Sequence, residues 1–443
     1  MDLETHHTRT GVRMESDHSG ILGQLAQHLL LNPLIRFFHT MDLRYRDIHL
    51  KDLLVSAMDD QRRMTVQGTT VYNFGSDSFL GLDRDARVQQ ALLDGVQRWG
   101  THNGASRAFY SVQANAEAER KLAHWLGVEA TLIFPSVTLV NTGLLPGLVR
   151  RGDLLAVDRL AHNSIHEGAK IAQANGAEVQ VFHPCTPETL QTLLRSTQYN
   201  QCLVAVDGVY SMQGTTPPLR ELDEVTRAHG GVLYVDDAHG TGIVGDHGRG
   251  TAMRELGTLH NVIMVGSLSK AFSCMGAFVT CTEDLKQLFK MASSTYVFGG
   301  PVPPPYLEAI GVVCDILMSD EYEAILARLR ARIRLLVEGL HALDLAVLGG
   351  DAPIVAVLVK DRTRALQAGK WLFDHGFYVQ SVAYPAVPVN AALLRIQVNA
   401  NHPLQAIEGL LEALGHLRQV VALPTAADLA ESEGAPVQRG ACP

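Results

Sequence analysis

Residues 203–236, LVAVDGVYSMQGTTPPLRELDEVTRAHGGVLYVD, decide the fold. The stretch opens on an apolar run at 203–207 and closes on another at 232–236, and both read as buried strands. Between them Leu219, Leu222 and Val225 recur at helical spacing, and Gly230-Gly231 stops that helix. Strand, helix, strand at this spacing requires a parallel crossover. The runs at 154–158 and 262–266 extend the pattern on both sides. The predicted class is therefore α/β, with a doubly wound, mostly parallel sheet. In such sheets ligands sit outside the carboxyl ends of the strands. Asp158, Asp207 and Asp236 each end an apolar run, so all three are candidates for one crevice. Helix capping explains any one of them equally well.

Four regions follow from the pattern along the chain. Residues 1–70 read as an N-terminal arm, 71–300 as a large domain and 301–423 as a smaller α+β domain. Residues 424–443, rich in Ala, Pro, Gly and Glu, read as a disordered tail. In the arm, the apolar stretch 21–38 is interrupted by Gln24, Gln27, His28, Asn32, Pro33 and Arg36, too often for a bilayer span. It predicts one amphipathic helix over 21–31, stopped before Pro33. Such a helix packs on its own protein or a dimer partner; a membrane or a carrier protein is the sharper alternative. Prolines between 301 and 305 mark the domain boundary. One long helix is expected over 306–343, then strands at 354–359 and 394–398 and a helix at 403–417.

Composition narrows the functional class. The 443 residues are 47% hydrophobic and 19% charged, the profile of a globular enzyme with a large core. A net charge of -9 provides no basic footprint for nucleic acid. The six cysteines form no C-x-x-C pair and no His/Cys metal spacing, so no metal is expected. Buried thiols in a reducing, cytoplasmic setting are the plain reading. No secretory signal is evident in the polar start of the chain.

The chemistry lies in two segments, Tyr234-Val235-Asp236-Asp237-Ala238-His239-Gly240 and Val265-Gly266-Ser267-Leu268-Ser269-Lys270-Ala271-Phe272. A lysine at a strand end often makes only a surface salt bridge. Here small residues flank it, which lets a bulky group approach the backbone, and their amides and hydroxyls suit a phosphate. Lys270 can supply an amine for an imine, and Asp236 a carboxylate for a pyridine nitrogen. Together they point to pyridoxal phosphate, whose ring must stay protonated to draw electrons. A carboxylate ~4 Å away at an effective dielectric of ~20 contributes about 4 kcal/mol, roughly three pKa units. Asp237 competes for this role, but alternation along a strand lets only one of the pair reach the ring. His239 could bond the ring oxygen from the following turn. His162, after another strand end, could stack on the ring or be an ordinary loop histidine.

These motifs, with Asp207-Gly208-Val209-Tyr210-Ser211-Met212, Gly104-Ala105-Ser106-Arg107 and Gly248-Arg249-Gly250, resemble the α-oxoamine synthases, a branch of the fold-type I pyridoxal-phosphate enzymes. The resemblance runs from about Asn73 to Leu417. It implies that Lys270 forms the imine with the cofactor, Asp236 pairs with the ring nitrogen and His239 contacts the ring oxygen. It implies that His162 stacks over the ring, Ser211 and Ser267 contact cofactor oxygens, and Arg395 holds the substrate carboxylate. A two-pronged guanidinium suits that task. The family also implies a homodimer with its active site at the interface.

Four departures from the family pattern stand out. Asp77, in Asp77-Ser78-Phe79-Leu80-Gly81, replaces an amide near the substrate carboxylate and would repel it unless protonated or paired. Ser136-Val137-Thr138 replaces a Ser-Gly-aromatic loop, leaving the amides of Val137 and Thr138 for the phosphate. Phe298-Gly299-Gly300-Pro301 replaces a hydroxyl-rich segment that reaches the partner's phosphate, so the amides of Gly299 and Gly300 would serve instead. Ala386 stands where some relatives have a threonine near the substrate. The expected reaction is a decarboxylative condensation of a small amino acid (alanine, glycine or serine) with an acyl thioester of coenzyme A or an acyl carrier protein. Aminotransferase and aldolase chemistry use the same lysine and aspartate and are the rivals. A silent subunit of a hetero-oligomer is disfavoured by Lys270 itself.

Overall fold

A computed structural model describes residues 20–433. Among these residues the largest sheet has seven strands, in the order Ala130–Phe134, Ala277–Cys281, Val262–Ser267, Val232–Asp236, Cys202–Asp207, Leu154–Asp158, Glu178–Phe182. All neighbours are parallel except those of Ala277–Cys281, which runs antiparallel to both of its partners. Leu219–Ala228 is the crossover helix between Cys202–Asp207 and Val232–Asp236. It ends where Gly230 takes φ +71°, a conformation that glycine adopts without a Cβ clash.

Strand alternation divides the sheet between two cores. Val204, Val206, Leu233 and Val235 face one, together with Trp125, Phe272 and Phe278. Leu203, Ala205, Tyr234, Ile263 and Val265 face the other, under helices Val137–Leu148 and Asn163–Ala174. Burying both faces explains why these strands read as unbroken apolar runs. The carboxyl ends of Cys202–Asp207 and Val232–Asp236 lie in register, Asp207 opposite Asp236.

A second sheet, in the order Val347–Gly349, Ile354–Lys360, Ala392–Gln397, Gln380–Val382, is antiparallel throughout. It carries Arg395 on an inner strand.

Several expected boundaries shift. Pro33 begins a helix instead of only ending one: Ile21–Leu29 is followed by Pro33–Tyr45. Asn32 caps the second helix by accepting from the N–H groups of Leu34 and Ile35, and proline at the first helical position has no N–H to lose. Strand Thr69–Asn73 crosses the expected arm boundary at residue 70. It pairs with Arg63–Val66 and, in parallel, with Phe377–Tyr378, which ties the arm to the C-terminal part of the chain. The long helix expected at 306–343 is two helices, Pro304–Leu317 and Asp320–Ala342. The second starts after Ser319, with Asp320, Glu321 and Glu323 in its first turn, where acidic side chains favour a helix start. The segment expected to be disordered contains the helix Ala426–Glu433, begun by Thr425, which exchanges hydrogen bonds with Asp428. The rest of that expected tail, like the first 19 residues, lies outside the described residues.

Among the described residues no helix is long and apolar enough to cross a membrane, and no group of metal-ligating side chains occurs. The five described cysteines are free thiols.

Candidate active site

The two adjacent aspartates turn to opposite sides of the sheet, as alternation requires. Asp236 faces helix Val137–Leu148. Its Oδ2 accepts a 2.7 Å bond from Asn141 Nδ2, and its Oδ1 accepts from the N–H of Ala238 at 3.2 Å. Asn141 is itself fixed: Tyr234 donates its hydroxyl to Asn141 Oδ1 at 2.7 Å, and Asn141 Nδ2 donates to Ser164 Oγ at 2.8 Å. Buried polar groups joined in this way hold one geometry.

Asp237 points into the other core. Its Oδ2 accepts from the N–H groups of Thr251 at 2.5 Å and Ala252 at 3.3 Å, at the start of helix Thr251–Leu256. Burial pushes its carboxyl from the ordinary 3.8 up to about 7. A carboxyl whose pKa is raised by folding contributes most stability below its unfolded value and loses it as pH rises through the folded one. Asp237→Asn should therefore flatten the decline in urea-unfolding stability between about pH 4 and 7, by at most about 4 kcal/mol. Parallel slopes for the two proteins would contradict that assignment.

His162 caps helix Asn163–Ala174. Its Nδ1 accepts from the N–H of Ser164 at 3.2 Å and lies 2.7 Å from the Ser164 hydroxyl. An accepting Nδ1 places the proton of the neutral ring on Nε2. Burial lowers the pKa of this ring, against the pull of Asp236. The backbone N–H of His162 donates to Asp207 Oδ1 at 2.9 Å. Burial, and then the Asp236 charge, push the Asp207 carboxyl well above the usual range. Asp158 accepts the Tyr210 hydroxyl at 2.5 Å. Of the three strand-end aspartates, Asp158 and Asp207 thus brace the surrounding loops.

Lys270 follows strand Val262–Ser267 in a tight turn. Ser273, at φ +55°, donates its N–H to the Lys270 carbonyl at 2.8 Å. The Lys270 Nζ lies 3.4 Å from His239 Nδ1, and among the described residues it forms no ion pair. Burial lowers its pKa, opposed by Asp236 and Asp77. An amine whose ammonium is disfavoured is more readily available as nucleophile and base. His239 Nε2 in turn lies 3.5 Å from Arg395 Nη2. Burial, with a cation on each side, holds the His239 pKa well below its ordinary value, so the ring is neutral.

Arg395 completes the line. Its Nε donates to the Ser211 carbonyl at 2.6 Å, its Nη1 to Gln380 Oε1 at 2.9 Å and its Nη2 to Asp77 Oδ1 at 3.2 Å. Gln397 Nε2 also donates to Asp77. Asp77 is therefore paired with Arg395 and Gln397.

The remaining candidates are placed less uniformly. Ser267 Oγ accepts from the N–H of Ser269 and lies 3.0 Å from the Ser269 hydroxyl, whereas Ser211 meets Arg395 through its carbonyl. Val137 and Thr138 begin helix Val137–Leu148, where Ser136 already serves the N–H of Leu139. Their own N–H groups are the donors a helix start leaves open. Gly299 and Gly300 follow helix Ser294–Phe298, and a Cβ on Gly299 would sit 3.2 Å from Leu139 Cδ1 of the same chain. Ala386 is exposed in a turn, its N–H bonded to the Ala383 carbonyl. The sequence reading missed Asn141, Tyr234, Gln380 and Gln397. A lone amide inside the apolar run of helix Val137–Leu148 was the one available signal for Asn141.

These residues fit pyridoxal phosphate. The site offers an amine without an anionic partner, a carboxylate fixed at both oxygens and open amides at a helix start. Known proteins are similar to this chain over most of its length. The aminotransferase class I and II family pattern matches residues 69–414. The 8-amino-7-oxononanoate synthase of Geobacter sulfurreducens is 32% identical over 83% of this chain and 94% of its own. That of Methylococcus capsulatus is 33% identical over 84% and 95%. Among solved structures, serine palmitoyltransferase of Sphingomonas wittichii superposes with a TM-score of 0.83 at 26% identity, covering 89% of this chain and 100% of that one. The S. paucimobilis enzyme, solved with PLP and myriocin bound, gives 0.82 at 26%, covering 88% and 98%. With the half-buried Lys270 and the buried Asp236 in one fold-type I cleft and relatives matched over most of their length, this chain belongs to the aminotransferase class I and II family and, within it, to the α-oxoamine synthases.

Proposed function

We propose that the enzyme joins a small amino acid to an acyl thioester, releasing carbon dioxide and the free thiol and leaving an α-amino ketone. The observation that carries this reading is the continuous line of Lys270 amine, His239 imidazole and Arg395 guanidinium, with steps of 3.4 and 3.5 Å. Bound pyridoxal phosphate supplies an aldehyde for the amines and a pyridinium that takes up the electron pair of the substrate α-carbon. Lys270, its ammonium disfavoured by burial, takes the α-proton as general base and later returns it. Asp236, fixed by Asn141 and Ala238, stabilises the protonated ring nitrogen. Arg395 orients the amino acid through its carboxylate. His162 forms one wall of the ring site, and neutral His239 bonds the ring oxygen. The open amides of Val137 and Thr138 receive the phosphate.

Alanine, glycine and serine are the proposed amino acids, and the acyl group arrives on coenzyme A or a carrier protein. Each amino acid is to be mixed with each thioester and the products weighed by mass spectrometry. Thiol and carbon dioxide in equal amounts support the reading. A keto acid formed from the amino acid without thiol release overturns it in favour of transamination.

We also propose a homodimer. Phe298, 85% exposed, precedes Gly299, and Phe109, 85% exposed, lies in the loop whose Ser106 hydroxyl donates to the Val297 carbonyl. Two bare aromatics on linked segments suit a subunit contact. Light scattering should give about twice the chain mass; a monomer at assay concentration would contradict the pairing.

A further inference from the structure

Asp77 is placed where a bound ligand would be expected. Its Oδ1 takes Arg395 Nη2 at 3.2 Å, and Gln397 donates to the same oxygen. Its side chain keeps about a third of its surface open, whereas that of Arg395 is 5% exposed. Asp77 also lies close enough to Lys270 to favour its ammonium.

The loop that carries Asp77 is held on both flanks. Buried Arg62 donates through Nη2 to the hydroxyls of Ser76 at 3.0 Å and Ser78 at 2.7 Å, and its Nη1 grips Asp83 at 2.9 and 2.8 Å. Asn399 donates to the Ser78 carbonyl at 2.8 Å. The carboxylate is thus delivered to Arg395 by a built support.

We propose that Asp77 is a resident carboxylate that occupies Arg395 until the carboxylate of the amino acid displaces it, which makes Asp77 a specificity-determining residue. This rests on the reading that Arg395 receives the amino-acid carboxylate. The other two arms of Arg395 already serve the Ser211 carbonyl and Gln380, so a second carboxylate competes for Nη2. A buried guanidinium left without an anion is costly, and exchanging one carboxylate for another keeps it paired throughout. Once the substrate has lost its carboxylate as carbon dioxide, Asp77 returns to Arg395. The device weakens binding of the amino acid relative to amines that lack a carboxylate.

The test titrates the cofactor-loaded enzyme, by its visible absorbance, with alanine and separately with ethylamine. In Asp77→Asn the ratio of alanine affinity to ethylamine affinity should rise about tenfold over wild type, equivalent to roughly 1.4 kcal/mol. A ratio within about twofold of wild type, or a lower one, overturns the proposal. Should Asp77→Asn fail to fold, Asp77→Ser removes the same charge and is read in the same way. The titration needs no thioester, so a failure of the condensation assay leaves this result readable, and the reverse also holds.

Discussion

Lys270→Ala should leave a folded protein with no visible absorbance from an imine and with turnover reduced by at least about a thousandfold. The size follows from the two tasks that fall on one amine. Under the proposed function it receives the aldehyde and moves the α-proton, a general-base contribution of about 10²–10⁴ on its own. No neighbour can take over. His239, whose Nδ1 lies 3.4 Å from the Lys270 amine, has its basicity lowered by burial and by Arg395, which faces its Nε2. The substitution should not unfold the chain. Among the described residues Lys270 has no ion pair to lose, and burial already disfavours its charge, so the thermal midpoint of the cofactor-free variant should match or exceed that of wild type. Retained turnover, or a midpoint that collapses, would remove Lys270 from the role given to it.

Asp236→Asn should produce the second-largest effect, about a thousandfold loss in kcat/KM with the cofactor still bound. An anion ~4 Å from the ring nitrogen, at an effective dielectric of ~20, is worth about 4 kcal/mol, or roughly three pKa units. The amide removes that charge. It also disturbs the local bonding, because both carboxylate oxygens accept: Oδ2 from Asn141 and Oδ1 from Ala238. An amide presents one NH₂ in place of an acceptor, so one buried donor meets another, at a cost of about 1–3 kcal/mol. Thermal unfolding should therefore show a modest drop beside the large kinetic one. A variant with kcat/KM within about twofold of wild type would mean that the ring charge is set elsewhere.

Much of this was legible in the sequence because it is written in local pattern. Strands buried on both faces read as apolar runs, and a helix with an apolar stripe followed by Gly230 reads as a crossover. Lys270, Asp236, His239 and His162 sit just after such runs, where the topology brings loop residues together. Alternation lets only one of Asp236 and Asp237 reach the ring, and the resemblance pointed to Asp236. Arg395 comes from a different sheet and was placed by resemblance; its meeting with His239 and Asp77 could not be read from its neighbours in the chain. The same holds for Asn141 and Tyr234, whose bonds to the site join residues far apart in sequence. Element ends were hidden for another reason. Asn32 turns Pro33 from a stop into a start, and Ser319 begins a new helix inside what reads as a continuous stripe. Caps are single-residue events that override a longer-range periodicity.

The most direct test of the account is to add pyridoxal phosphate to the protein, reduce with borohydride, digest and map the modified peptide by mass spectrometry. Reduction fixes an imine to the lysine that formed it. The account predicts one stoichiometric pyridoxyl group on Lys270, in the peptide containing Ser267 and Phe272. Modification spread over surface lysines, or concentrated on any lysine other than this one, would contradict it.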